Sequence, residues 1–332
     1  MPDSPIDDLP RGTRPLVAAE LLPGLDILPT FELTPEFLAF VRSGGAMVEG
    51  LSPPPLSPEQ QAVGCAERLV PGPAGAPDVR VLVYSPPGTQ ATPRPAYLHV
   101  HGGGYVLGTP EVNDGSNRTL AAELGCIVVS VDYRLAPETR FPGALEDCYA
   151  ALVWLHAEAE RLGVDRGRIA IGGDSAGGGH AAALAVFARD RGEVPICLQL
   201  LDAPMLDDRT GSTSDPHPYC GEFIWTPTNN RFGWRALLGV EPGGPDVPDE
   251  AVPARVRNLG GLPPAFVTVG ALDLFLEENL EYVRRLIRAG VPAELHIIPG
   301  AFHGFGVAGG GAPQVQACLR MRRDALGRAF GL

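Results

Sequence analysis

The chain has 332 residues, 45% of them hydrophobic, with 39 acidic side chains against 26 basic ones and a formal net charge of −13. That length allows one or two domains around a large core, and that charge repels phosphate backbones and anionic membrane surfaces, so nucleic acid and membrane are not expected as partners. Every basic residue is arginine, which rules out a Schiff-base lysine, a G-x-x-x-x-G-K-[ST] phosphate loop and an S-x-x-K hydrolase.

In chain order, residues 1–65 stand apart from the remainder of the chain. Met1-Pro-Asp-Ser-Pro-Ile-Asp-Asp has neither the basic nor the apolar part of a signal peptide, and no apolar run in the chain reaches a membrane span, so a cytoplasmic location is expected. Thr34-Pro35-Glu36 has the form of an N-cap, a proline at the first helical position and an early acid, which predicts a helix from Pro35 to Arg42 ended by Gly44-Gly45. Phe31, Phe37, Leu38 and Phe40 along this stretch need apolar surface to cover them. Leu51-Ser-Pro-Pro-Pro-Leu-Ser-Pro is a proline-rich connection, and Pro58 opens a short helix.

From Val79 the pattern becomes regular. Residues 79–84 and 96–100 read as strands, after which helices and strands alternate: helix 117–124, strand 127–132, helix 144–161, strand 168–171, helix 176–189, strand 196–201, strand 265–269, helix 276–289, strand 294–298 and helix 315–330. Continuous apolar strands alternating with amphipathic helices predict a mostly parallel sheet covered on both faces, with ligands beyond the carboxyl ends of the strands. Residues 206–250 break the rhythm and read as an insertion over that edge. The six cysteines, Cys65, Cys126, Cys148, Cys197, Cys220 and Cys318, form no C-x-x-C pair, which supports neither a disulfide framework nor a zinc finger.

Gly173-Asp174-Ser175-Ala176-Gly177 joins the strand ending near Gly172 to an alanine-rich helix. In a strand-turn-helix context such a pentapeptide holds its serine on a strained turn with Oγ exposed, and the next amide, that of Ala176, faces developing negative charge. A base should lie in a loop after a strand. His303, in Pro299-Gly-Ala-Phe-His-Gly-Phe, fits, whereas His99 and His296 lie in strands and His156 and His180 in helices. The orienting acid in the order Ser…Asp…His is Asp273 after strand 265–269; its rivals Glu277 and Glu278 sit within a helix, where the dipole and solvent account for them. His101-Gly-Gly-Gly-Tyr105 follows strand 96–100 and offers the amides of Gly103 and Gly104 to an oxyanion, with glycine needed so that no Cβ blocks the approaching carbonyl. Neither glycine loop has dinucleotide spacing, and His99 with His101 lacks a third ligand for zinc. No metal or organic cofactor is expected.

In order, His101-Gly-Gly-Gly-Tyr, Asp132-Tyr-Arg-Leu-Ala-Pro-Glu138, Phe141-Pro-Gly-Ala-Leu-Glu-Asp147, Gly173-Asp-Ser-Ala-Gly177, Asp273-Leu-Phe-Leu-Glu-Glu278 and His303-Gly-Phe305 resemble the hormone-sensitive-lipase-like family of α/β-hydrolases. The resemblance implies an α/β-hydrolase fold over residues 66–332, a helical cap from residues 1–65 and 206–250, a Ser175–His303–Asp273 triad, and an oxyanion hole from Gly103, Gly104 and Ala176. It implies a carboxylesterase acting on small esters of short to medium acyl chain, and it admits a homodimer. The same triad would serve an amide, lactone or acetylated-sugar hydrolase, while a non-catalytic small-molecule receptor on this fold would carry a broken one. The chain departs from the family's usual pattern at Leu274, where proline is common, and at Asp202-Ala-Pro, where an aromatic residue commonly precedes the proline.

Overall fold

A single sheet carries the described part of the chain, residues 12–28, 30–45, 54–88, 92–212 and 216–332 of the computed structural model. Along the chain come α1 (Leu22–Ile27), α2 (Pro35–Arg42), α3 (Pro58–Ala62), β1 (Gly64–Val70), β2 (Val79–Ser85), β3 (Arg94–Val100), α4 (Asp114–Leu124) and β4 (Ile127–Asp132). Next are α5 (Gly143–Ala157), α6 (Ala159–Leu162), β5 (Val164–Asp174), α7 (Ala176–Arg191), β6 (Leu198–Asp202), α8 (Pro227–Leu238), β7 (Ala265–Gly270), α9 (Leu276–Arg288), β8 (Ala293–Ile298), α10 (Phe305–Ala308) and α11 (Pro313–Phe330). The strand order is β1-β2-β4-β3-β5-β6-β7-β8. β2 is antiparallel to both neighbours, and every pairing from β4 to β8 is parallel.

The two faces of the sheet are covered by different helices. Val81, Val83, Leu98, Ile169, Ile171 and Val267 pack with residues of α5, α7 and α9, while Leu82, Tyr84, Tyr97, Ala170, Leu200 and Phe266 pack with Ala121 of α4 and Leu326 and Phe330 of α11. Adjacent residues point to opposite layers and both layers are dry, which is why the central strands are unbroken apolar runs. The expected mostly parallel, doubly covered sheet is present.

Several boundaries differ from the sequence reading. β1 was not expected at all: Gly64-Cys-Ala-Glu-Arg-Leu-Val is an edge strand, exposed along most of its length, so it carries no apolar run. The expected helix 144–161 breaks at Glu158 into α5 and α6, α4 starts at Asp114, and β5 starts at Val164. Within the stretch read as an irregular insertion, Thr226 caps a helix: its Oγ1 accepts the Asn229 amide at 3.3 Å, with Pro227 at the first position of α8. The acidic N-terminus through Arg11 and the first three residues of the proline-rich connection, Leu51 to Pro53, lie outside the described residues.

Above the carboxyl ends of the strands, Leu33 and Leu38 share a cluster with Tyr105, Ala176, Met205, Trp225, Trp234, Leu237 and Phe275. Buried Asn229 on α8 fastens the N-terminal stretch to it, accepting the Leu33 amide at 2.8 Å and donating to the Phe31 carbonyl at 3.1 Å. Arg42 adds bonds from its guanidinium to the carbonyls of Val106 and Ala136. The expectation that Phe40 is covered is corrected: its ring is exposed, because the face of α2 that meets the cluster carries Leu38. Asn229→Ala, which strands two backbone groups, is expected to lower stability by about 1–3 kcal/mol in urea unfolding. Phe40→Ala is expected to cost less than about 0.5 kcal/mol; equal losses would contradict this account.

Candidate active site

Ser175 stands between β5 and α7 with φ 55° and ψ −119°, a conformation that an L side chain rarely adopts. Three backbone bonds hold it there: its amide donates to Asp202 O at 2.8 Å, and its carbonyl accepts the amides of Gly179 and Met205, each at 3.0 Å. The turn is this tight because its neighbours have no side chain. A Cβ on Gly173 would stand 2.2 Å from the Val100 carbonyl oxygen, and one on Gly177 would stand 2.1 Å from the same atom.

The structure brings Ser175, His303 and Asp273 together. Ser175 Oγ lies 3.0 Å from His303 Nε2, and His303 Nδ1 lies 2.8 Å from Asp273 Oδ2. Because a carboxylate only accepts, Nδ1 carries the ring proton, and the Nε2 lone pair faces the serine hydroxyl. Asp273 Oδ1 accepts the Phe275 amide at 2.9 Å, fixing the carboxylate in its plane. The loops bearing acid and base are themselves tied together, Leu272 N donating to Ala301 O and Ala271 N to Ile298 O, both at 2.9 Å. Burial works against the imidazolium, but the Asp273 carboxylate, with Asp202 and Asp174 behind it, outweighs it and leaves the His303 pKa above the ordinary value.

Gly103 and Gly104 adopt φ values of 129° and 59° in the loop after β3, which lies against the Ser175 turn: a Cβ on Gly102 would come 3.6 Å from Ser175 Cβ. Among the described residues, no protein group accepts a hydrogen bond from the amides of Gly103, Gly104 or Ala176. Packing gives these positions a second reason to be glycine, beyond the approach of a carbonyl. A Cβ on Gly103 would meet the Leu107 carbonyl oxygen at 2.0 Å, and one on Gly104 would meet Trp225 Cη2 at 2.0 Å, so the loop's own packing forbids a side chain.

The other histidines serve structure. His99 Nδ1 pairs with Ser130 Oγ at 3.0 Å, and His101 stacks on Tyr133 at 4.3 Å while its Nδ1–H donates to Gly102 O. Burial pushes the His101 pKa down to about 4 and that of His180 to about 3. Among the rival acids, exposed Glu277 fits the solvated reading, but Glu278 does not. It is buried, accepts the Leu206 amide at 2.7 Å and the Thr210 hydroxyl, and burial raises its pKa well above the usual carboxylate range. It therefore braces the chain leaving β6. Among the described residues, no three His, Cys, Asp or Glu side chains are grouped to hold a metal ion, and no helix is long and apolar enough to cross a membrane.

Sequence reasoning passed over Asp202 and Arg322, which meet directly behind Ser175: Arg322 Nη1 lies 2.7 Å from Asp202 Oδ2 and Nη2 lies 2.8 Å from Asp174 Oδ1. A signal existed. Arg322 occupies the same stripe of α11 as buried Val315, Cys318 and Ala325, where a charge requires a partner.

Known proteins resemble this chain over most of its length. A family model described as the alpha/beta hydrolase fold matches residues 97–307. Esterase LipI of Mycobacterium tuberculosis is 35% identical over 89% of this chain and 90% of its own length, and carboxylesterase NlhH of the same organism is 36% identical over 88% and 91%. Among solved structures, a bacterial heroin esterase superposes with a TM-score of 0.85 at 39% identity, covering 96% of this chain and 99% of its own.

The imidazole environment is open to direct measurement. An NMR titration of His303 is expected to give a midpoint above 6.5, and Asp273→Asn is expected to lower it, since the carboxylate that favours the cation is gone. A wild-type midpoint at or below 6.5 would contradict the electrostatic account.

Proposed function

Because the chain belongs to the hormone-sensitive-lipase-like family of α/β-hydrolases, we propose that it is a serine carboxylesterase, with Ser175 as nucleophile, His303 as base and Asp273 as the orienting acid. The observation that carries this reading is the continuous hydrogen-bond sequence from Ser175 Oγ through His303 to Asp273. The esterases and carboxylesterases named above support the choice of ester as substrate class.

In the proposed reaction, His303 Nε2 takes the Ser175 proton as Oγ attacks the ester carbonyl carbon. Asp273 holds the tautomer and stabilises the imidazolium. The tetrahedral oxyanion accepts hydrogen bonds from the amides of Gly103, Gly104 and Ala176, which among the described residues have no protein acceptor to give up. The C–O bond to the alcohol then breaks, and His303 returns its proton to the leaving alkoxide. Water, deprotonated by the same imidazole, attacks the acyl-enzyme and releases the acid and free Ser175. Every step uses groups present in the chain.

The N-terminal segment, residues 1–65, and the insertion at 206–250 form the cap in this reading. Its support is the shared cluster that joins Leu33 and Leu38 to Trp225, Trp234 and Ala176 beside Ser175. Such a cover keeps water from the oxyanion and strengthens its hydrogen bonds. A cytoplasmic location belongs to the same proposal, supported by six unpaired cysteines.

On a panel of chromogenic esters of graded acyl length, with one amide and one lactone, hydrolysis is expected to be greatest for short to medium esters. Ser175→Ala should fold and lose about 10³-fold or more in kcat/KM, and Asp273→Asn should lose about 10²–10⁴-fold through the wrong imidazole tautomer. Activity of Ser175→Ala within tenfold of wild type would end this assignment. Deleting residues 1–43 should expose apolar surface and change both rate and chain-length preference; a folded truncation with both unchanged would remove that segment from the cap.

A further inference from the structure

Asp174 and Asp202 are the last residues of β5 and β6 and face each other in register. Ser175 is suspended between them: it follows Asp174 directly, and its amide donates to the Asp202 carbonyl at 2.8 Å. Two carboxylates side by side at adjacent strand ends repel, and among the described residues one cation bridges them. Arg322, reaching up from α11, places Nη1 2.7 Å from Asp202 Oδ2 and Nη2 2.8 Å from Asp174 Oδ1. The remaining carboxylate oxygens are also engaged, Asp174 Oδ2 by Asn113 Nδ2 at 2.8 Å and Asp202 Oδ1 by the Thr268 hydroxyl. His99 Nε2 stands 3.6 Å from Asp174 Oδ2.

We propose that Arg322 is a positioning residue for Ser175, clamping together the strand ends that suspend the serine and offsetting the charge that Asp174 and Asp202 direct at His303. The proposal rests on Ser175 and His303 acting as nucleophile and base. A guanidinium suits the task because its two terminal nitrogens fix two separate carboxylates at once, so the spacing of β5 and β6 at their ends is set by one rigid plane. The charged groups that bear on the imidazole are Asp273, bonded to it, and then Asp202 and Asp174; Phe275 and Trp225, which flank the ring, are uncharged. With Arg322 present, the Asp174–Asp202–Arg322 group carries one net negative charge. Without it there are two, and the imidazolium is favoured further. Burial pushes both carboxyls up; Arg322 and the His99 bond hold Asp174 below the usual range, while burial and the neighbouring Asp174 charge leave Asp202 above it.

The test uses the full-length enzyme, with Arg322→Gln, Arg322→Lys and Ser175→Ala assayed beside wild type. For Arg322→Gln, kcat is expected to fall by roughly tenfold or more with KM within about twofold, since the loss is in the geometry of attack. Its kcat/KM profile should lose activity at a higher pH on the acid side than wild type, because a neutral His303 is required and the cation is now favoured. Arg322→Lys, which keeps the charge but not the two-pronged plane, should restore the original acid limb while recovering only part of kcat. An Arg322→Gln enzyme within twofold of wild type in kcat, or a loss of kcat with the acid limb unmoved, would overturn the proposal, the second outcome marking mere loosening of α11. If Arg322→Gln does not fold, Arg322→Gln/Asp202→Asn removes one uncompensated carboxylate with the guanidinium. Its kcat should still be low and its acid limb should return to the wild-type position; a wild-type kcat would again overturn the clamp. Ser175→Ala activity within tenfold of wild type would instead defeat the triad reading, so the two failures are distinguishable.

Discussion

The turn at Ser175 is the constraint on which the site depends. Its backbone can hold φ 55° only because Gly173 and Gly177 let β5 and α7 press on the Val100 carbonyl, where any Cβ would approach to little more than 2 Å. Strain of this kind persists when the surroundings over-determine it. Here β3 contributes the carbonyl, β6 accepts the serine amide through Asp202, and the segment after β6 donates the Met205 amide to the serine carbonyl. Two chain segments distant in sequence, β3 and the end of β6 with the residues after it, thus hold one residue in place.

A parallel sheet makes that convergence possible. All carboxyl ends from β4 to β8 point the same way, so the loops after β3, β5, β7 and β8 meet along a single edge. The loops after β7 and β8 are bonded to each other before either side chain is considered, which brings Asp273 and His303 within reach. Cover comes from elsewhere in the chain: α2 and α8, far apart in sequence, share an apolar cluster joined by the bonds of Asn229.

Three buried histidines show how environment divides one side chain among different roles. His101 and His180 are buried among aromatic rings, and burial drives both toward the neutral form well below neutral pH. His303 is equally enclosed, yet its cation is favoured. The difference is the carboxylate at 2.8 Å from Nδ1 and the acidic strand ends beyond it. A proton acceptor must be able to hold the proton it takes, and of these three His303 has that support.

From the sequence alone, the local chemistry of these elements could be read: glycines flanking Ser175, three consecutive glycines after β3, an acid and a histidine each in a loop after a strand, and unbroken apolar runs that require a two-sided sheet. These are properties of residues close together in the chain. β1 escaped because an exposed edge strand carries no apolar pattern, α8 because its boundaries depend on a cap and on packing against α2, and the burial of Glu278 because the amide it accepts comes from Leu206. A further reason for glycine at Gly103 and Gly104 lies in Leu107 and Trp225, one of them over a hundred residues away. Arg322 is the sharpest case: on its helix it is a charge on an apolar stripe, and only the folded sheet supplies the two aspartates that it joins. Periodicity and motifs report what each segment needs, whereas the identity of the group that meets the need is fixed by long-range packing, which no local pattern encodes.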